Sequence, residues 1–246
     1  MENNPWLDIR LSKKIMEYLW SIIDNPLKQI DENIMANTLA GNISKNEYLQ
    51  DTDNRFYKDI LNELTKFLHY KNWNNYYDVY IAKMESHPKF DLNALWVNYQ
   101  KKHEFNPPHL HCDGNGYTFV VFMKIPTHCK EQHALPISIN SASPSASDFQ
   151  FLLGHGDGQV KTFNIPLNPE DEGRMLFFPA WITHQVFPFY ECEEERITIS
   201  GNIQLKVEDY DLQDIEKEKE RLKIERKQQD SSIAIKEHNL RLEKNN

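Results

Sequence analysis

Between residues 76 and 207 the chain breaks into eight short runs of β-branched and aromatic residues, punctuated by Gly, Pro, Asn and Asp. The runs are Tyr76–Lys83, Leu92–Tyr99, Tyr117–Ile125, Phe149–Leu153, Lys161–Leu167, Met175–Phe178, His184–Pro188 and Arg196–Val207. Side chains of these types fit a pleated, half-buried surface, and no helical period of apolar residues falls between the runs. Without crossover helices such strands cannot build a parallel α/β sheet, so they predict a sandwich or jelly roll. Met175–Phe178 is apolar on both faces, which predicts a central strand, and Asn168-Pro169-Glu170-Asp171-Glu172-Gly173 predicts the turn into it.

The flanks are different in texture. Residues 1–75 predict a helical N-terminal support region: Leu11, Ile15, Leu19 and Ile22/Ile23 recur at helical spacing behind Ser12 as a cap, and Pro26 ends the segment. Phe56, Ile60, Leu61, Leu64, Phe67 and Leu68 form a second stripe. Residues 208–246 are rich in mixed charge, as in Glu216-Lys217-Glu218-Lys219-Glu220-Arg221, and predict a charged tail that is either a solvated helix or partly disordered. Fewer than three clean heptads are present, which disfavours a coiled-coil arm and leaves the oligomeric state open. Within the β region, His128–Asp148 contains the small, polar, Pro-interrupted Ser141–Ser147 and predicts a long loop, either a lid or a plain insertion.

Composition sets the remaining bounds. With 246 residues, 39% of them hydrophobic and 12% aromatic, a well-filled core is within reach. No apolar run approaches membrane-spanning length, and MENNPWLDIR lacks the layout of a signal peptide. Three cysteines with no CxxC spacing suit a reducing compartment, so a cytoplasmic location is expected. A net charge of −9 argues against non-specific binding to nucleic acid.

Three distant pieces of the β region carry metal-binding chemistry: His111-Cys112-Asp113, His184, and Arg196 with Thr198 two residues on. A His-x-Asp pair and a distant His make the two-His, one-carboxylate triad of non-haem Fe(II) sites, which leaves metal positions open for small ligands. His155-Gly156-Asp157 has the same pattern, but its glycine-flanked setting reads as a hairpin turn. Four predicted runs lie between His111 and His184, and only two between His155 and His184, so the first pair suits a jelly roll better. His109 forms a rival His-x-His with His111, because residues two apart on a strand share a face. His111 with Asp113 is favoured, since a carboxylate suits Fe(II), whereas an all-His set points towards zinc or copper. Arg196 opens an otherwise apolar strand beyond the acidic turn Glu191–Glu195. Its guanidinium fork matches a carboxylate, and Thr198 on the same face adds a hydroxyl.

Asn98-Tyr99, Glu104–His111, Tyr117–Val120 and Lys124-Ile125-Pro126 in one half, with Phe177–Trp181, His184 and Glu195–Asn202 in the other, resemble a known family. These segments look like the Fe(II)- and 2-oxoglutarate-dependent oxygenases of the prolyl-hydroxylase-like group common in phage genomes, with Leu39–Ile43 a weaker echo upstream. The resemblance implies a double-stranded β-helix, a distorted jelly roll with helices packed on one sheet. It implies Fe(II) at His111, Asp113 and His184, and 2-oxoglutarate on Arg196 and Thr198, with Tyr99 at a further cosubstrate contact. O2 and an unidentified substrate, with a peptide or protein favoured over a small molecule, would complete a hydroxylation that releases succinate and CO2. In one departure, Cys112–Gly116 is longer than in related sequences, where His-x-His followed by Gly is common; His109 stays open as a ligand. Two other functions compete: a non-catalytic viral jelly-roll protein, and a cupin-like metalloenzyme of another reaction class. Neither requires an anion site beside the metal, which makes Arg196 and Thr198 the discriminating pair.

Overall fold

The computed structural model describes residues 4–26, 40–72, 90–111, 116–154, 156 and 158–205. Among these described residues ten strands run in chain order: β1 (Leu7–Arg10), β2 (Lys45–Tyr48), β3 (Phe90–Gln100), β4 (Asn106–His109), β5 (Gly116–Lys124), β6 (Phe149–Gly154), β7 (Val160–Ile165), β8 (Arg174–Pro179), β9 (Thr183–Val186) and β10 (Arg196–Leu205). They form a six-stranded sheet, β1-β8-β5-β10-β3-β2, and a four-stranded sheet, β4-β9-β6-β7. Every pairing is antiparallel. From β3 onward the chain passes back and forth between the sheets, which is the winding of a double-stranded β-helix.

Seven of the eight predicted runs coincide with β3 and β5–β10 to within a few residues, while Tyr76–Lys83 lies outside the described residues. Met175–Phe178 sits in β8, next to β5 and inside the sheet, as its two apolar faces require. The turn before it is a 3-10 turn over Pro169–Asp171, closed by a capping box between Asn168 and Asp171. Gly173 follows with φ +86°, a conformation open to glycine and costly for other residues.

Two hydrophobic cores flank the larger sheet. On its outer face, Leu19 and Ile22 of α1 (Lys13–Ile23) and Phe56, Leu61 and Leu68 around α2 (Asn62–Asn72) pack on Val97, Phe119, Val121, Phe177 and Ile199. Ser12 caps α1 by accepting from Ile15 N at 3.4 Å, as predicted, whereas Phe67 of the second stripe is 57% exposed. Between the sheets, Val120, Phe122, Phe149, Phe151, Leu176 and Phe178 form the second core with Trp6. Alternate residues of β5 feed the two cores, which is why its sequence reads as an unbroken apolar run. The N-terminal region supplies β1 and β2 to the edges of the larger sheet besides its helices. Residues 208–246 and their predicted tail lie outside the described residues.

At the centre of the larger sheet, β10 runs between β5 and β3. A Cβ at Gly201 would lie 2.7 Å from both Ala94 O and Phe119 Cζ, so the sheet closes this tightly around β10 only with glycine there.

Candidate metal and cosubstrate centre

β4 carries two consecutive prolines, Pro107 and Pro108, which lack the N–H a central strand needs; it lies at an edge of its sheet. Its last residue, His109, stands directly across from His184 of β9. His111 follows two residues later, where its backbone N–H donates to Ala180 O at 3.0 Å and ties the end of β4 to the β8–β9 turn. The ring centroids of His109 and His184 are 4.2 Å apart, those of His111 and His184 5.4 Å, and those of His109 and His111 5.6 Å. One nitrogen from each ring falls within 4.8 Å of the others, a set of three that could hold a metal ion.

Hydrogen bonds orient two of these imidazoles. His109 Nδ1 lies 2.8 Å from Pro107 O and His184 Nδ1 3.0 Å from Ile182 O. With Nδ1–H donating to a carbonyl, Nε2 is left with its lone pair facing inward, which is the arrangement of an outer hydrogen bond fixing a metal-ligating tautomer. Burial pulls the pKa of His184 well below the ordinary histidine range, helped by His109 beside it, and burial lowers His109 as well. Both are therefore neutral at pH 7, the form a metal requires. Phe149 stacks on His184 at 5.7 Å and Phe178 meets it edge-on at 4.8 Å, so the inner wall of the site is aromatic.

Arg196 opens β10 and is 1% exposed. Its Nη2 donates to Ser147 O at 2.8 Å and to Ser147 Oγ, and its Nη1 to Gln100 Oε1 at 3.4 Å. Phe189 lies against the guanidinium, 5.3 Å from ring centroid to Cζ. Nε is buried without a hydrogen-bond partner among the described residues. Burial pulls this arginine down to about 10, with Asp148 opposing the shift, so the side chain remains a cation at neutral pH. The acidic turn does not compensate it: Glu193 and Glu194 pair with Lys102 and Lys124 at the surface.

A cavity of about 260 Å³ joins the two halves, lined by His109, His111 and His184 as well as by Arg196 and Thr198. That volume is at the lower edge of ordinary small-molecule sites. Ser200 pairs with Trp96, whose ring lies 6.4 Å from that of His111. Arg196 is four residues back along the same face of β10, about 13 Å at a strand rise of about 3.3 Å per residue. A long arginine side chain bridges much of that distance and leaves room for a small dicarboxylate. An orphaned N–H on a buried cation, in one cavity with three inward imidazoles, fits a metal-chelating acid with a second carboxylate.

The geometry brings together four of the residues anticipated from sequence: His111, His184, Arg196 and Thr198, whose Oγ1 accepts from Asn98 Nδ2 at 3.4 Å. Asp113 lies outside the described residues, as do His155 and Asp157 of the rejected pair. Tyr99 is turned the other way. On β3, Trp96, Asn98 and Gln100 line the cavity, so the alternation of the strand sends Tyr99 into the helix-side core under Lys45. His109, ranked behind Asp113 on sequence grounds, joins the cluster, and the His-x-His spacing was its signal. Ser147 and Gln100, which hold the guanidinium, carried no motif.

Residues 94–202 match the model of a family described as "Putative 2OG-Fe(II) oxygenase". That segment runs from β3 into β10 and includes every cavity residue just discussed on those strands. Over these residues the chain is similar to the 2OG-Fe(II) oxygenases. Members of a family so described use Fe(II) as their metal and 2-oxoglutarate and O2 as cosubstrates. No curated protein matches the chain. Among solved structures, the chain is similar to a Pseudomonas putida prolyl-4-hydroxylase, at 11% identity and a TM-score of 0.44, over 82% of this chain and 93% of that one. It is similar to the viral collagen prolyl hydroxylase of Paramecium bursaria Chlorella virus-1 in complex with 2-oxoglutarate, at 14% identity and 0.45, over 81% and 96%. A third is HygX from Streptomyces hygroscopicus with nickel, 2-oxoglutarate and hygromycin B bound, at 9% identity and 0.43, over 84% and 85%. At such values these likenesses say nothing about what this chain acts on.

Proposed function

We propose that this chain is a hydroxylase, inserting oxygen into a C–H bond of a peptide, protein or small-molecule substrate with release of succinate and CO2. The observation that carries the proposal is the single cavity that holds three inward imidazoles and, further along β10, a buried arginine with an unpartnered N–H. Fe(II) with 2-oxoglutarate supplies the oxygen activation when bound. The protein's own residues bind, orient and exclude water. His109, His111 and His184 hold the metal, and imidazole nitrogen suits iron as well as zinc. Arg196 receives the far carboxylate of 2-oxoglutarate, and Thr198 offers its hydroxyl beside it. Phe122, Phe149 and Phe178 keep the inner wall free of water, which strengthens each of these polar contacts. Leu110, 46% exposed between two ligands, and Trp181, 53% exposed one residue beyond the carbonyl that holds His111, form an apolar rim for the substrate.

Asp113 is the competitor for the place given to His109, on the ground that a carboxylate suits Fe(II). His109 takes precedence because it faces His184 across the sheet with its tautomer fixed. The test is Fe(II)-dependent conversion of 2-oxoglutarate to succinate by the wild type and by His109→Ala, Asp113→Ala and His184→Ala. The proposal expects turnover in the wild type, loss with His184→Ala and His109→Ala, and retention with Asp113→Ala. Turnover that survives His109→Ala and fails with Asp113→Ala would return the carboxylate to the ligand set. An iron-loaded wild type that makes no succinate would end the proposal.

A further inference from the structure

The segment His128–Asp148, predicted to be a lid or a plain insertion, is neither open nor idle where it and the preceding Thr127 meet β10. It contains a short helix, α3 (Cys129–Ala134), and ends in two fully buried polar residues, Ser147 and Asp148. Ser147 has φ +74°, uncommon for a residue with a side chain. The surroundings impose that conformation: Ser147 N donates to Pro188 O at 2.9 Å, and Ser147 Oγ lies 3.1 Å from Thr127 Oγ1. As a result the carbonyl and the hydroxyl of one residue both face Arg196 Nη2. With Gln100 on Nη1 and Phe189 against the guanidinium, Arg196 is held on three sides and its Nε–H stays free.

Asp148 adds charge without competing for those donors. Its Oδ1 is bonded to His133 Nε2 at 2.9 Å, its Oδ2 has no partner, and no hydrogen bond joins it to Arg196 among the described residues. The carboxylate still acts on the buried guanidinium through space. A buried cation needs an opposite charge nearby, and here that charge is supplied from a direction that leaves the free N–H available.

We propose that Ser147 and Asp148 are positioning residues for Arg196, and that the Thr127–Asp148 segment is the floor of the site for the far carboxylate of the keto acid. The proposal rests on the function assigned above. It specifies that this floor selects keto acids with a second carboxylate over those without one, by fixing the guanidinium fork in one orientation.

The test uses Ser147→Ala and Ser147→Gly in the full chain, loaded with Fe(II) without oxygen. Calorimetry compares 2-oxoglutarate with 2-oxopentanoate, which has the same carbon chain and no far carboxylate. Both variants lose the hydroxyl, yet glycine relieves the positive φ and alanine does not, so their thermal stabilities should move apart. The expected result is that both bind 2-oxoglutarate about tenfold more weakly, as the loss of a hydrogen bond to a charged group implies, and bind 2-oxopentanoate as the wild type does. Unchanged 2-oxoglutarate affinity in both variants, or equal weakening for both acids, would overturn the positioning role. A metal-loaded wild type that does not distinguish the two acids would overturn the cosubstrate assignment itself, and this proposal with it.

Discussion

Replacing Arg196 by Met separates a guanidinium kept for the fold from one kept for a ligand. Burial lowers the folded-state pKa from the ordinary arginine range to about 10, equivalent to about 3 kcal/mol at about 1.4 kcal/mol per unit. Because the value is lowered, the charged form is the disfavoured one, and the cost is fully present below pH 10, hence at neutral pH. Met fills a similar volume and removes that cost. It also strips donors from Ser147 O and Gln100 Oε1, a loss of about 1–3 kcal/mol for buried acceptors. The two effects nearly cancel, so Arg196→Met should lie within about 2 kcal/mol of the wild type in urea unfolding. For a domain of this size that is a shift of no more than about 8 °C, at about 2–4 °C per kcal/mol. The ligand response should differ sharply. With metal present and 2-oxoglutarate at about a hundred times its dissociation constant, the wild type should gain about 2.7 kcal/mol, and Arg196→Met at the same concentration almost none. A variant destabilised by more than about 4 kcal/mol that still responds fully to 2-oxoglutarate would refute the reasoning and make Arg196 a structural residue.

Two further predictions concern the scaffold. Gly201→Ala places a methyl group 2.7 Å from Ala94 O and from Phe119 Cζ, and should cost about 1–3 kcal/mol in chemical denaturation; a change below about 0.5 kcal/mol would show that the sheet yields more easily than its contacts imply. Burial lowers the pKa of His69, whose Nδ1 lies 3.1 Å from Tyr117 Oη. The unfolded chain then binds the extra proton first, so this residue's contribution is intact above about pH 6.5 and is lost as pH falls below it. The slope is at most about 1.4 kcal/mol per pH unit. His69→Gln should flatten the pH dependence of unfolding between pH 5 and 7, and an unchanged slope would contradict the assignment.

The strands with a strong apolar pattern were legible because both their faces are buried or one face is cleanly so, as in β5 and β8. The strands that were not legible lie at sheet edges. Lys45-Asn46-Glu47-Tyr48 has no apolar alternation, since as β2 it pairs on one side only. Asn106–His109 hides behind two prolines that an edge strand tolerates. In the distal half of the candidate site, His184 and Arg196 sit on well-patterned strands, which is why the sequence singled them out. Its proximal half was ambiguous because a period of two places His109, His111 and Asp113 in one series, and only the pairing of β4 with β9 brings His109 opposite His184. Tyr99 shows the same alternation in reverse: a shift of one residue along β3 exchanges the cavity for the other core, where Tyr99 lies. Ser147 and Asp148 were hidden in a polar segment, because a side chain that props another leaves no motif of its own.

The most direct test of the central claim is an anaerobic titration of the Fe(II)-loaded protein with 2-oxoglutarate, following the weak metal-to-ligand charge-transfer absorption in the visible. The account predicts a saturable band in the wild type, its loss with His184→Ala, and a large rightward shift of the titration with Arg196→Met. A folded, iron-loaded wild type with no band at any 2-oxoglutarate concentration would contradict it, and would favour a jelly roll of another reaction class or of none.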